Sequence, residues 1–211
     1  HATIRRQRQM CIRDSEKDIL SNQDWTFPTT TYYGPGRFNE IAKFCEEFDI
    51  KNPLIVTDSG SKDLPFIKKL IALLSKNNIK SDLFYNISPN PRDDEISKGC
   101  DQFKNGSHDS IIAIGGGSAM DGGKSICLTV NSETPLWDFE FEQPVPKITK
   151  ENAFPKIITI PTTAGTGAET EITAMVTHLE KGMKFCIWHP DVRPIFCLLY
   201  TSDAADEWLR G

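Results

Sequence analysis

The chain has 211 residues, 38% of them hydrophobic, and a formal net charge of −5. That is enough apolar material for one globular core, and the mild acidity excludes the clustered basic face that nucleic-acid binding requires. No apolar run approaches the roughly 20 residues that span a bilayer, so neither a membrane nor a nucleic acid is expected as partner.

In chain order, the first segment to stand apart is "RRQRQMCIRDS" (5–15), which has neither helical nor strand periodicity; "CLLYTSDAADE" (197–207) shares that property. One back-translation of the second segment has a reverse complement that, in one frame, encodes Arg5 to Asp14. Two unrelated protein segments do not share such a relation by chance, and the DNA resembles a library adapter. Residues 1–15 and 197–211 are therefore expected to be artefactual tails, leaving 16–196 as one nucleotide-binding α/β domain. The N-terminus carries no apolar signal core. The six cysteines lack CxxC spacing, so they read as reduced thiols of a cytoplasmic protein rather than a zinc knuckle or disulfide framework.

Between the tails, strand and helix signals alternate. "TTTYYG" (29–34) is β-branched and aromatic. "GRFNEIAKFCEEF" (36–48) places Phe38, Ile41, Phe44, Cys45 and Phe48 on one helical stripe. "PLIVTD" (53–58) reads as a buried strand ending in an Asp. "KDLPFIKKLIALLSKNN" (62–78) has helical spacing, with Pro65 tolerable in the first turn. "KSDLFYNI" (80–87) is strand-like, and 90–109 opens with acids suited to a helix start and closes on a Gly stop, leaving His108 facing solvent. "SIIAIG" (110–115) has the unbroken apolar character of a strand covered on both faces. Residues 131–155 are rich in Pro and charge and read as a surface excursion. "KIITIP" (156–161) is another apolar strand, and 171–189 alternates on both sides of "EKG" as a hairpin would. This alternation predicts a Rossmann-like, doubly wound parallel sheet with ligands at the strands' carboxyl ends.

"IIAIGGGSAMDGGKS" (111–125) passes from a buried strand through three glycines into a helix. The first turn of a helix offers unpaired amides and the positive end of the dipole, and glycines let an anion approach them. The stretch departs from GxGxxG at Met120 and from GxxxxGK[ST] at Ser118. A ligand-free tight turn and a P-loop phosphotransferase are the alternatives on this stretch alone. A second small-residue bend, "PTTAGTGAE" (161–169), follows the next strand, and two such bends on neighbouring strand ends would line one crevice.

"GGGSAMDGGKS" and "IPTTAGTGAE" together resemble the two best-marked segments of the iron-containing (metal-dependent) alcohol dehydrogenase family. "PLIVTDSG", "SPNPRDDEI" and "MVTHLEKGMKF" are similar to its neighbouring segments, in the right order. The resemblance covers nearly all of residues 24–196. It implies an N-terminal nucleotide-binding domain of the dehydroquinate-synthase-like fold, a metal-holding helical domain missing from this chain, and hydride transfer between a small alcohol or aldehyde and NAD(P).

Residue by residue, the resemblance implies that Gly115, Gly116, Gly117 and Ser118 meet the cofactor pyrophosphate through backbone amides. Asp121 would orient the turn and Lys124 neutralise charge, or the two would form a buried ion pair. Asp58 would accept from the adenosine ribose and repel a 2′-phosphate, favouring NAD over NADP. Asn90 and Pro91 fall on the adenine side; Thr162, Thr163 and Thr166 near phosphate, ribose or nicotinamide; Thr173 and Lys184 at further cofactor contacts. The family's metal ligands, one Asp and three His for a divalent ion, usually iron, have no counterpart here, and His108, His178 and His189 are not read as ligands. The resemblance further implies a homo-oligomer at full length. A glycerol dehydrogenase or dehydroquinate-synthase relative and a non-catalytic binding module are the remaining rivals.

Overall fold

The computed structural model describes residues 29–34 and 36–199. Its strands are β1 (Thr30–Tyr32), β2 (Pro53–Asp58), β3 (Asp82–Ile87), β4 (Ser110–Gly115), β5 (Lys156–Pro161), β6 (Thr173–His178), β7 (Met183–Trp188) and β8 (Phe196–Leu198). The α-helices are α1 (Ile41–Glu47), α2 (Pro65–Lys76), α3 (Asp93–Asn105) and α4 (Gly117–Val130). Six strands form one sheet in the order β1-β8-β5-β4-β2-β3, and every pairing in it is parallel. β6 and β7 make a separate antiparallel hairpin.

The unbroken apolar strands follow from burial on both faces. Along β4, Ile111 and Ala113 face one layer while Ile112 and Ile114 face the other. The first layer is built from α3 and α4, through Ile96, Phe103, Met120 and Ile126. The second is built from α1 and α2, through Ile41, Phe44, Leu70 and Leu74. The sheet is thus wound on both sides, as expected. The chain leaves β2 for the α2 face and β4 for the α4 face. Those two strands are neighbours, so a crevice opens at their carboxyl ends.

Local signals explain most element limits. Pro65 occupies the first turn of α2, and Asp93, Asp94 and Glu95 form the first turn of α3, which stops at Gly106. The helix expected over 36–48 begins instead as a 3-10 turn, Arg37–Glu40, because Gly36 enters it in a left-handed conformation (φ 77°). The excursion 131–155 is anchored rather than loose: Phe139 is buried, and the Phe141 amide donates to the Cys186 carbonyl at 2.8 Å.

His108 corrects an expectation. It is buried, with Nδ1 3.0 Å from the Asn52 carbonyl and Nε2 3.3 Å from an Asp82 carboxylate oxygen. A helix end followed by Ser-His-Asp looks like a loop, but the ring closes the space between α3 and the start of β2. Residues 1–15 and 200–211 lie outside the described residues, as does Trp25. β8 crosses the limit drawn at 196/197: Cys197 and Leu198 are buried and extend the strand. No helix among the described residues is long and apolar enough to cross a membrane.

Candidate functional site

The two small-residue bends meet. Gly115 pairs in register with Pro161, and the Thr162 amide donates to the Gly115 carbonyl at 2.9 Å. Gly115 has φ 140°, a conformation that side-chain-bearing residues rarely adopt, and a Cβ there would lie 2.9 Å from the Ala119 Cβ. A Cβ on Gly116 would sit 3.4 Å from Thr163 Oγ1, and one on Gly117 3.2 Å from Thr166 Cγ2. Any side chain at these positions would fill the gap between the bends. No side chain caps the first turn of α4, so the helix keeps its positive end open to this gap.

Asp58 ends β2 beside this turn. Its carboxylate accepts from the Gly60 and Ser61 amides, each at 3.0 Å, and from Ser61 Oγ at 2.7 Å. Its Oδ2 lies 3.1 Å from where a Gly115 Cβ would stand. The buried Thr57 Oγ1, which has no hydrogen-bond partner among the described residues, is 3.4 Å from the same point. Sequence reading passed over Thr57; its adjacency to Asp58 at a strand end was the available signal.

On the other side of the α4 N-terminus lies a cavity of about 330 Å³. It gathers Pro91, Gly117, Ser118, Asp121, Thr166, Thr173 and Lys184 from the expected set, and adds Pro89, Glu171 and Met175. The 88–92 loop is fixed there by Glu95, whose carboxylate accepts from Ser88 N, Ser88 Oγ and Arg92 N, each at 3.1 Å. Ser118 Oγ donates to the Pro89 carbonyl at 2.6 Å, and the Pro91 carbonyl accepts from the Thr177 amide of the hairpin. Asn90 is exposed on that loop; Thr162, Thr163, Asn90 and the Asp58–Gly115–Gly116 ridge lie outside the cavity lining.

Lys124 is wholly buried. Its ammonium donates to the Ala168 carbonyl at 2.9 Å and to the Thr173 carbonyl, and stands 3.7 Å from Asp121 Oδ1. Of the two expected roles, the structure shows the buried pair. Burial depresses the Lys124 pKa, against the pull of Asp121 and Glu171. Burial likewise raises that of Asp121, although Lys124 and the Met175 amide favour its ionised form. A P-loop lysine would face the helix N-terminus; this one faces inward.

The three histidines of the described residues are each packed against or bonded to the protein itself. His178 stacks on Trp137 at 4.5 Å with its Nδ1 3.6 Å from Asp93, and His189 Nε2 is 3.0 Å from the Pro146 carbonyl. No group of three His, Cys, Asp or Glu among the described residues could hold a metal ion.

A family model described as iron-containing alcohol dehydrogenase matches residues 28–201. NADH-dependent butanol dehydrogenase A of Clostridium acetobutylicum is 31% identical over 177 residues, covering 83% of this chain and 44% of that protein. Choline dehydrogenase of Bacillus subtilis is 32% identical over 158 residues, covering 75% and 39%. Among solved structures, a 1,3-propanediol oxidoreductase superposes with a TM-score of 0.75 at 27% identity, covering 85% of this chain and 46% of its own. Sulfoacetaldehyde reductase from Bifidobacterium kashiwanohense in complex with NAD+ also superposes with a TM-score of 0.75, at 26% identity and the same coverage, 85% and 46%. The chain therefore spans less than half the length of these relatives. With one family model matching residues 28–201, the glycine turn and the threonine bend among them, the chain belongs to the iron-containing alcohol dehydrogenase family.

Proposed function

We propose that this chain is the dinucleotide-binding part of an alcohol dehydrogenase that interconverts a small alcohol and its aldehyde or ketone, with NAD as cofactor. The observation that carries the reading is the junction of the two bends, where a hydrogen bond from Thr162 to Gly115 sets glycines against threonines over an uncapped helix start. The gap kept open by Gly116 and Gly117 fits a diphosphate, whose charge the α4 dipole and first-turn amides of Gly117 and Ser118 would meet. Asp58 would hold the adenosine ribose, and Asn90 and Pro91 would flank that side. Thr162, Thr163 and Thr166 offer hydroxyls to the phosphates and the second ribose. The cavity formed by Asp121, Thr173, Met175 and Lys184 would take the nicotinamide half and exclude water from it. When bound, the dinucleotide supplies the two-electron redox chemistry.

The described residues bring no three His, Cys, Asp or Glu side chains together and so do not fit a metal site. The proposal places the iron ligands and most of the substrate pocket in the part of the relatives' length that this chain does not span. The free cysteines of the described residues, all but Cys186 buried, support a reducing, cytoplasmic setting. A homo-oligomeric full-length enzyme remains part of the proposal.

The test is direct titration. Trp137 and Trp188 serve as fluorescence donors while NADH, NADPH and magnesium ATP are added in turn. NADH should bind most tightly, and Gly117→Val should weaken it at least tenfold by filling the gap against Thr166. Preference for magnesium ATP, or an unchanged NADH affinity in the variant, would remove the reading.

A further inference from the structure

Lys124 presents a problem that cofactor binding alone does not explain. A fully buried ammonium is costly, and an apolar side chain of similar length would fill the space at lower cost. A lysine has three donors. Two here go to the Ala168 carbonyl at the end of the threonine bend and the Thr173 carbonyl at the start of β6, and the ammonium forms a 3.7 Å ion pair with Asp121 on α4 itself. Those three elements are the walls of the cavity, which Asp121, Ala168 and Thr173 all line. The Lys124 side chain itself is absent from that lining, so its action on a bound molecule runs through its partners.

We propose that Lys124 is a positioning residue: its ammonium fixes the threonine bend and the hairpin at the spacing from α4 that the nicotinamide half of the cofactor requires. The proposal rests on the reading of the crevice as an NAD site. Its particular content is a division of labour within that site. The Gly115–Gly117 turn and Asp58 hold the adenosine diphosphate half without help from Lys124, because they are set by β2, β4 and the start of α4. The near end of the threonine bend is tied to Gly115 by the Thr162 amide, while Lys124 holds only its far end at Ala168. The other half depends on it.

This division can be measured with NADH and ADP as separate probes. In Lys124→Met, NADH affinity should fall at least tenfold while ADP affinity stays within about twofold. Amide hydrogen exchange should rise over 166–178 and not in β4. Lys124→Gln, which keeps a donor, should recover part of the NADH affinity. A variant that binds NADH like the parent chain, or that loses NADH and ADP equally, overturns the proposal. If neither variant folds, the unmodified chain decides. Its amide hydrogen exchange over 166–178 should be slowed more by NADH than by ADP, and equal slowing overturns the idea. A parent chain that binds neither probe overturns the NAD reading itself and the proposal with it.

Discussion

Asp58 shows how one carboxylate can serve both turn and ligand. Its hydrogen bonds from Gly60 and Ser61 lock the backbone after β2 and hold a negative charge beside Gly115. Asn keeps an acceptor for the two amides and removes the charge. Asp58→Asn should therefore retain most NADH binding while raising NADPH affinity relative to NADH about tenfold, or about 1.4 kcal/mol. Parallel titrations of the two dinucleotides measure that ratio, and no change in it would rule out Asp58 as the discriminating charge. Asp58 was legible in the sequence because it closes an apolar strand. For Lys124 a buried pair with Asp121 was one of two readings, whereas its acceptors at Ala168 and Thr173 were not legible, being more than forty residues away in the chain. His108 was misread for the same reason: its partner, the Asn52 carbonyl, is 56 residues away in the chain.

At the scale of elements, α4 determines the site because it starts in the crevice and crosses the sheet closely. Gly123 makes that crossing possible: a Cβ there would lie 2.7 Å from the Ala113 Cβ, which the β4 backbone fixes in place. Alanine in a helix normally gains up to about 1 kcal/mol over glycine, but here α4 must lift from β4, at a cost of roughly 1–3 kcal/mol. Gly123→Ala should therefore lower the melting temperature and weaken NADH binding together, since the lift displaces the Gly117 amides. A variant as stable as the parent would show that α4 has slack. The element pattern itself was largely readable. β2 and β4 fall on their expected residues, and the hairpin and glycine turn follow from alternation and composition. Packing of the 131–155 excursion onto β7 was not readable, because a single buried Phe139 among charges and prolines leaves no periodicity.

For the molecule as a whole, buried thiols set the alkaline limit. Burial, with a smaller contribution from Asp109, pushes the Cys45 thiol from 9.0 up to about 12, and burial raises Cys197 to about 12 as well. The folded chain keeps these protons while the unfolded chain releases them from about pH 9. The stabilisation is thus complete below that pH and is lost as pH rises toward 12, at roughly 1.4 kcal/mol per pH unit for Cys45. Denaturant midpoints taken under reductant should fall steeply between about pH 9 and pH 11, and Cys45→Ala should flatten the fall. A flat profile in the parent would contradict the burial of these groups.

The order of the sheet has a consequence for how this chain comes together. β1 pairs with β8, and β8 is seated between β1 and β5. During synthesis Thr30–Tyr32 emerges long before its neighbour Phe196–Leu198, which lies on the far side of β2 to β7 in the chain. Closure of that long loop is an entropically slow event. Until it happens, two strand borders stay open to other chains, so β1 and β5 are where self-association of a half-made molecule would begin.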